Sequence, residues 1–194
     1  MSEDSLRLFF AIPLAEELRD AATELQRRLS EARGDVRVKW VERPNLHMTL
    51  KFMGDTPAER LDEVQAIAGA VGAGCRPCEV EYRGVGCFAS RGCPRTIWLG
   101  AARQCPELAE LARSLEDALA QAGLAEPEGR AFQVHATLGR VRDSRGGGRL
   151  MDEIRALADA PVGSQRIEDF VLISSELTGR GPIYTERGRF RLGG

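Results

Sequence analysis

The chain contains two histidines, and each begins the same kind of tetrapeptide. The first, HMTL, begins at His47, and the second, HATL, begins at His135. In both, apolar residues alternate with the histidine and the threonine, as they do along a half-buried β-strand. We therefore predict that His47 and Thr49 share one face of a strand, and that His135 and Thr137 share one face of another.

Two such pairs suit acid–base chemistry at phosphorus. An unperturbed imidazole titrates near pH 6.5, so it serves as base or acid at neutral pH. One imidazole would take a proton from water while the other protonates the leaving oxygen, which opens a cyclic phosphodiester without a metal. The threonine hydroxyls would donate to the non-bridging phosphate oxygens.

Structural explanations of the two histidines are weaker. A single histidine beside a threonine is usually only a half-buried structural residue, but two identical patterns that use every histidine favour a catalytic pair. A metal site formed by His47 and His135 is disfavoured because no carboxylate lies in register on either strand.

Strands and helices alternate around these motifs, and the two halves of the chain form a weak internal repeat. Gly and Pro residues separate the elements. In the second helix we expect Thr56 to be the N-cap, Pro57 to occupy the first turn and Glu59 to complete a capping box. The predicted strands cover 6–12, 36–41, 46–53, 79–82, 85–88, 96–99, 132–141, 162–167, 169–175 and 183–192, and the predicted helices lie at 15–32, after 56, between 106 and 123, and at 150–158.

Composition limits the class of protein. The 194 residues suit one domain, and a net charge of −2 argues against a protein that coats nucleic acid by bulk electrostatics. A local basic pocket for a small anion stays open. The chain has five cysteines, and Cys75-x-x-Cys78 could be half of a zinc site or a redox pair. Incidental thiols are favoured because no second, similarly spaced pair follows.

Five segments carry a resemblance to the two-histidine (2H) phosphoesterase superfamily, and within it to the RNA 2′,3′-cyclic phosphodiesterases, also called 2′-5′ RNA ligases. They cover nearly the whole chain in order; the second motif departs slightly, with Gln133-Val134 where a proline is common. The most specific segment is KWVERPNLHMTLKFMG. The segments are 7–14, 39–54, 84–100, 130–140 and 174–185.

The resemblance implies an α+β fold of one bilobal domain over residues 1–194, with two antiparallel sheets lining a central cleft, helices outside and a pseudo-two-fold axis. It implies hydrolysis of a terminal 2′,3′-cyclic phosphate to a 2′-phosphate. His135 would be the base and His47 the acid, and Thr49 and Thr137 would bind the phosphate. The near symmetry of the motifs leaves the order of the two roles open.

Basic and aromatic residues near the motifs are further candidates for substrate binding. Lys51 follows His47 by four residues and would share its face, or else be a solvated surface lysine. Arg140 matches a basic position of the family but needs a bulge or a strand end to reach the site, and Arg130 precedes the second motif strand. For stacking on a base the candidates are Trp40, Phe88, Trp98 and Tyr184, with core packing favoured for Trp98.

The expected partners are RNA 3′ ends that carry a cyclic phosphate, tRNA halves among them. We expect no cofactor, no metal and no membrane association, and a monomer in the cytoplasm. The alternatives are ligation through a 2′-5′ bond, a 2H phosphoesterase for another phosphoester, and a nucleotide- or RNA-binding protein without turnover.

Overall fold

The computed structural model describes residues 5–90, 93–129, 131–143, 147–179 and 181–193. Within them, strands and helices alternate largely as predicted. The helices are α1 Glu16–Ala32, α2 Leu61–Gly74, α3 Pro106–Gln121 and α4 Gly148–Ala156. The strands are β1 Ser5–Pro13, β2 Arg37–Trp40, β3 His47–Pro57, β4 Cys78–Ser90, β5 Cys93–Ala101, β6 His135–Asp143, β7 Pro161–Ile167, β8 Asp169–Leu177 and β9 Pro182–Arg191.

The strands of the described residues form an antiparallel sheet in the order β7-β4-β5-β6-β3-β1-β8-β9, with β2 also paired to β6. This order is symmetric about its centre, so that β6 corresponds to β3, β5 to β1, β4 to β8 and β7 to β9. The two central strands pair only at Met48 and Ala136 in the part of the chain that the structure describes. The predicted α+β class is confirmed, and the two predicted sheets are halves of one sheet that are continuous through this residue pair.

The helices cover the sheet with apolar stripes at helical spacing. In α1 the buried positions are Leu18, Ala22, Leu25, Gln26 and Leu29, which recur every three or four residues. Met48 and Ala136 are fully buried in the main core beneath the sheet. Since successive residues of a strand point to opposite faces, the residues that flank this pair face away from the core.

The start of the second helix differs from the prediction. Strand β3 continues through Pro57, and α2 begins at Leu61 after a short 3-10 turn at Ala58–Arg60. The Thr56 hydroxyl is buried without a hydrogen-bond partner among the described residues, so the predicted cap is wrong. Pairing of β3 with β1 as far as Pro57↔Ser5 holds these residues extended, which overrides the local capping signal.

Matching β-bulges interrupt the two motif strands at the fourth residue of each motif. Phe10 pairs with Lys51 and Ala11 with Thr49, so Leu50 is the extra residue of β3. On the other half, Ile97 pairs with Gly139 and Trp98 with Thr137, which makes Leu138 the extra residue of β6. A bulge shifts the alternation of faces by one residue. The residues just after each motif therefore lie on the face opposite to the one that strict alternation predicts.

Candidate active site

Both motif histidines and both threonines lie on the face of the sheet opposite the core. Because β3 and β6 are antiparallel and Met48 pairs with Ala136, His47 lies level with Thr137 and Thr49 lies level with His135. The two histidines are thus diagonal neighbours across the central strands, a relation that separates two residues by about 7–8 Å in a regular sheet. Each imidazole has the other strand's hydroxyl opposite it.

A hydrogen bond to the backbone orients each imidazole in the same way. The Nδ1–H of His47 donates to the Asn45 carbonyl oxygen at 2.7 Å, and that of His135 donates to the Gln133 carbonyl oxygen at 2.8 Å. In both cases the acceptor lies two residues upstream of the histidine. These bonds fix the tautomer of the neutral rings, so Nε2 is the nitrogen left for proton transfer.

The two histidines differ in their surroundings. His47 is half-buried between the rings of Phe9, at 5.1 Å between centroids, and Tyr184, at 5.7 Å. Its Nε2 lies 3.1 Å from the Thr49 Oγ1, so in neutral His47 this nitrogen accepts the threonine hydroxyl. Burial lowers the pKa of His47 below its ordinary value; the bond to Asn45 opposes this effect, and the Arg140 guanidinium adds to it.

His135 is bordered by aromatic residues of the other half. The ring of Phe88 stands edge-on to it at 5.2 Å, and that of Trp98 lies at 6.4 Å. Trp98 was expected in the core, but the structure places it, half-buried, in the cross-strand pair with Thr137 on the cleft face. Gly86 makes room for it, because a Cβ there would lie 2.2 Å from the indole.

A cavity of about 710 Å³ opens beside His47 on this face. Its walls contain His47, Thr49, Thr137 and Arg140, whereas His135 borders the cleft outside this cavity. Basic side chains dominate the charges of the lining: four of them stand against one carboxylate, that of Glu42. The basic residues are Arg7, Lys39, Arg140 and Arg142.

Arg140 reaches the cleft because of the bulge at Leu138. It pairs with Thr96 of β5 and Lys39 of β2, and its exposed guanidinium lies near enough to lower the pKa values of both His47 and Tyr184. In the case of Tyr184, burial has the larger, opposite effect and raises the pKa of the phenol. The sequence analysis required a bulge or a strand end for Arg140 to reach the site, and the structure contains the bulge.

The prediction for Lys51 is wrong, since its side chain is neither on the cleft face nor solvated at the surface. It is 2% exposed, and Nζ donates to the Glu126 carbonyl oxygen at 2.8 Å. The carboxylates of Glu128 and Glu116 lie 3.5 and 3.7 Å from Nζ. The bulge at Leu50 turns Lys51 to the side of Phe10, which is fully buried.

Replacing Lys51 by methionine is therefore expected to reduce stability and to spare any activity of the cleft. Methionine keeps the apolar volume but leaves the Glu126 carbonyl without its donor, at a cost of about 1–3 kcal/mol in the free energy of unfolding. Urea denaturation measures this loss. A large fall in turnover with unchanged stability would instead place Lys51 in contact with the substrate.

Two further residues of the cleft were not predicted from the sequence. The Phe52 ring is 43% exposed, and the Arg7 guanidinium carbon lies 4.9 Å from its centroid. Arg7 shares its face with Phe9, which pairs with Phe52 across the bulged ladder. Alternation of faces along β1 puts Arg7 on the same side as Phe9 and could have suggested it. No local signal indicates that Phe52 faces the cleft.

The remaining candidates from the sequence have different outcomes. Arg130 lies outside the described residues. Trp40 and Tyr184 line the cavity. Burial raises the pKa of the Cys78 thiol to about 12, which disfavours the thiolate that a metal or redox centre needs. Among the described residues, no cluster of three or more His, Cys, Asp or Glu side chains could hold a metal ion.

Known proteins resemble this chain over nearly its whole length. A family model described as LigT like phosphoesterase matches the chain twice, at residues 12–98 and 99–184, once in each half. An RNA 2′,3′-cyclic phosphodiesterase of Methanothermobacter thermautotrophicus is 39% identical, over 96% of this chain and 99% of its own length. A protein of the same name from Thermus thermophilus is 33% identical, over 97% and 91% of the two chains.

Solved structures show the same architecture. A crystal structure of a Thermus thermophilus protein superposes with a TM-score of 0.80 at 30% identity, and covers 97% of this chain and 99% of that one. The structure of E. coli LigT complexed with 3′-AMP has a TM-score of 0.75 at 26% identity, over 98% and 100% of the two chains.

In the described residues, no helix combines the length and the apolar character that crossing a membrane requires.

Proposed function

Because the chain belongs to the LigT-like phosphoesterase family, we propose that it is an RNA 2′,3′-cyclic phosphodiesterase. Water attacks the phosphorus, the bond to the 3′ oxygen breaks, and the product carries a 2′-phosphate and a free 3′-hydroxyl. The observation that carries this proposal is the pairing of Met48 with Ala136, which turns both H-x-T motifs to one cleft. The whole chain, 1–194, acts as one bilobal domain.

His47 and His135 transfer the protons of this reaction. One Nε2 removes a proton from water, and the other gives a proton to the departing 3′ oxygen. The hydroxyls of Thr49 and Thr137 and the guanidinium of Arg140 stabilise the charge that builds on the non-bridging oxygens. These groups supply both proton transfers and the charge stabilisation, so the step proceeds without a metal or a cofactor.

The order of the two roles predicted from the resemblance, with His135 as base and His47 as acid, stays a prediction. The lowered pKa of His47 supports the opposite order in the free protein, because a base must start as the neutral imidazole. A bound phosphate anion beside His47 would raise its pKa again.

The cavity suits a nucleotide chain. About 710 Å³ accommodates a nucleotide, and the excess of basic over acidic side chains matches a ligand with several phosphates. The exposed ring of Phe52, with Arg7 beside it, offers a surface on which a base can stack. We therefore favour RNA 3′ ends as the substrate, tRNA halves among them. The protein acts as a monomer in the cytoplasm, and ligation through a 2′-5′ bond is its secondary activity.

Product analysis tests the proposal directly. An RNA oligonucleotide that ends in a 2′,3′-cyclic phosphate should be converted to the 2′-phosphate, and excess EDTA should leave the rate unchanged. Chromatography separates the two possible products, and synthetic 2′- and 3′-phosphate standards identify them. A 3′-phosphate product would reverse the leaving group, and binding of the RNA without any product would favour the alternative of a nucleotide- or RNA-binding protein.

A further inference from the structure

Strand β6 changes partner inside the second motif. Along one edge it pairs first with β2, from Arg37↔Asp143 to Trp40↔Gly139. The amide of Val41 then donates to the Leu138 carbonyl oxygen at 2.9 Å. Two residues closer to the start of β6, the partner on this edge is β3, through the Met48–Ala136 pair. The carbonyl of Leu138 thus marks a fork, at which β2 and β3 diverge from the same edge of β6.

A buried glutamine of α1 occupies this fork. Gln26 is 8% exposed, and its Nε2 donates to the Leu138 carbonyl oxygen at 2.8 Å and to the Val41 carbonyl oxygen at 2.8 Å. Both amide hydrogens are therefore used, one on β6 and one on the segment that follows β2. The apolar residues on either side of it in the helical stripe, Ala22 and Leu29, are fully buried and can make no such bonds.

The two acceptors are the residues on which the cleft depends. Leu138 is the extra residue of the bulge that turns Arg140 towards the cavity. Val41 itself lines the cavity and directly follows β2, whose residues Lys39 and Trp40 also line it. A helix residue that bonds to both carbonyls holds the bulge and the cavity wall in one arrangement.

We propose that Gln26 is a positioning residue of the active site, which holds the Leu138 bulge so that Arg140 faces the cleft. The proposal rests on the proposed function for its catalytic meaning, but the geometry that it claims is measurable without substrate. Gln26 touches no reacting atom. It acts through Arg140, because loss of the bulge would restore strict alternation and turn that side chain to the opposite face.

The presence of two histidines makes the test simple, since the Cε1 protons of the imidazoles give two NMR signals that His47→Ala and His135→Ala variants assign. Removing the guanidinium in Arg140→Met should raise the pKa of His47 by a few tenths of a unit. Gln26→Met keeps the volume but loses both donors, and should raise this pKa by a similar amount. The double variant should show no further rise.

The control is Leu18→Ala, a buried position of α1 whose side chain packs near Gly163 of β7. It should destabilise the same helix and leave the His47 titration unchanged. Gln26→Asn retains the amide on a shorter side chain that cannot reach both carbonyls, so it serves if Gln26→Met does not fold, and it should raise the pKa in the same direction. A wild-type titration in a folded Gln26 variant overturns the proposal.

Activity separates this inference from the proposed function. With the cyclic-phosphate RNA, Gln26→Met should lower kcat/KM on the order of tenfold in the wild-type background. In the Arg140→Met background it should have no effect, because the side chain that it positions is gone. An equal loss in both backgrounds makes Gln26 merely structural. If the wild-type protein turns over no such RNA, the proposed function fails, and the NMR comparison still decides the role of Gln26.

Discussion

Replacing His135 or His47 by alanine is expected to lower the rate of cyclic phosphate hydrolysis by a factor on the order of 10² to 10⁴. In the proposed mechanism each variant removes one of the two proton transfers, while the other imidazole and the threonines stay in place. Both rings lie on the cleft face rather than in the main core, so folding should change little. Single-turnover rates with saturating RNA, beside circular dichroism of each variant, measure the two effects.

The double variant is the informative control. In the proposed mechanism the two imidazoles act on one phosphorus, so loss of both should cost less than the product of the single losses. Independent, multiplicative losses would mean that the histidines do not act in the same step. Wild-type rates in either single variant would remove that residue from the mechanism.

The same variants decide which histidine is the acid. In a substrate ester of p-nitrophenol, the leaving group departs as p-nitrophenolate without being protonated. Loss of the acid should therefore lower the rate little with this substrate. The predicted order requires this rescue in His47→Ala. The lowered pKa of His47 favours the rescue in His135→Ala instead, and the comparison separates the two.

Changing Thr49 or Thr137 to valine is expected to lower kcat on the order of 10²-fold. Valine has nearly the shape of threonine but lacks the hydroxyl, so each variant removes one of the proposed donors to the non-bridging oxygens. Thr49→Val also removes the contact of 3.1 Å with the His47 Nε2, which makes it the more damaging change. Steady-state rates with the cyclic-phosphate RNA measure both losses.

The matched control is Thr23→Val, at an exposed threonine of α1 whose hydroxyl bonds only within the helix, to the Arg19 carbonyl oxygen. It should leave kcat and KM unchanged. A rise in KM with unchanged kcat in the motif variants would assign the hydroxyls to ground-state binding rather than to the transition state.

The Thr56 cap shows where local signals fail. Its capping sequence is as strong as that of any helix in the chain, but long-range pairing with β1 keeps these residues extended. By contrast, Pro106 begins α3 as predicted, because no strand competes for that segment. Local rules predict an element when the tertiary pairing agrees with them.

Much of the site was predictable because it depends on local periodicity. Alternation along a strand has a period of two whatever the partner, so the sequence alone determined that His47 accompanies Thr49 and that His135 accompanies Thr137 on one face. The repeated motif likewise indicated two equivalent halves. These predictions required only that each motif be a strand with its apolar side inward.

The tertiary structure alone decided which face the residues after each motif occupy. Lys51 and Arg140 are both basic residues shortly after an H-x-T-L motif, but one is buried against carboxylates and the other lines the cavity. They stand four and five residues after their histidines, so they take opposite faces, and the bulges at Leu50 and Leu138 decide which face each one takes, since each shifts the alternation by one residue relative to a strand distant in sequence. A bulge is a property of the pairing between strands and not of either strand, so the sequence of one strand cannot specify it.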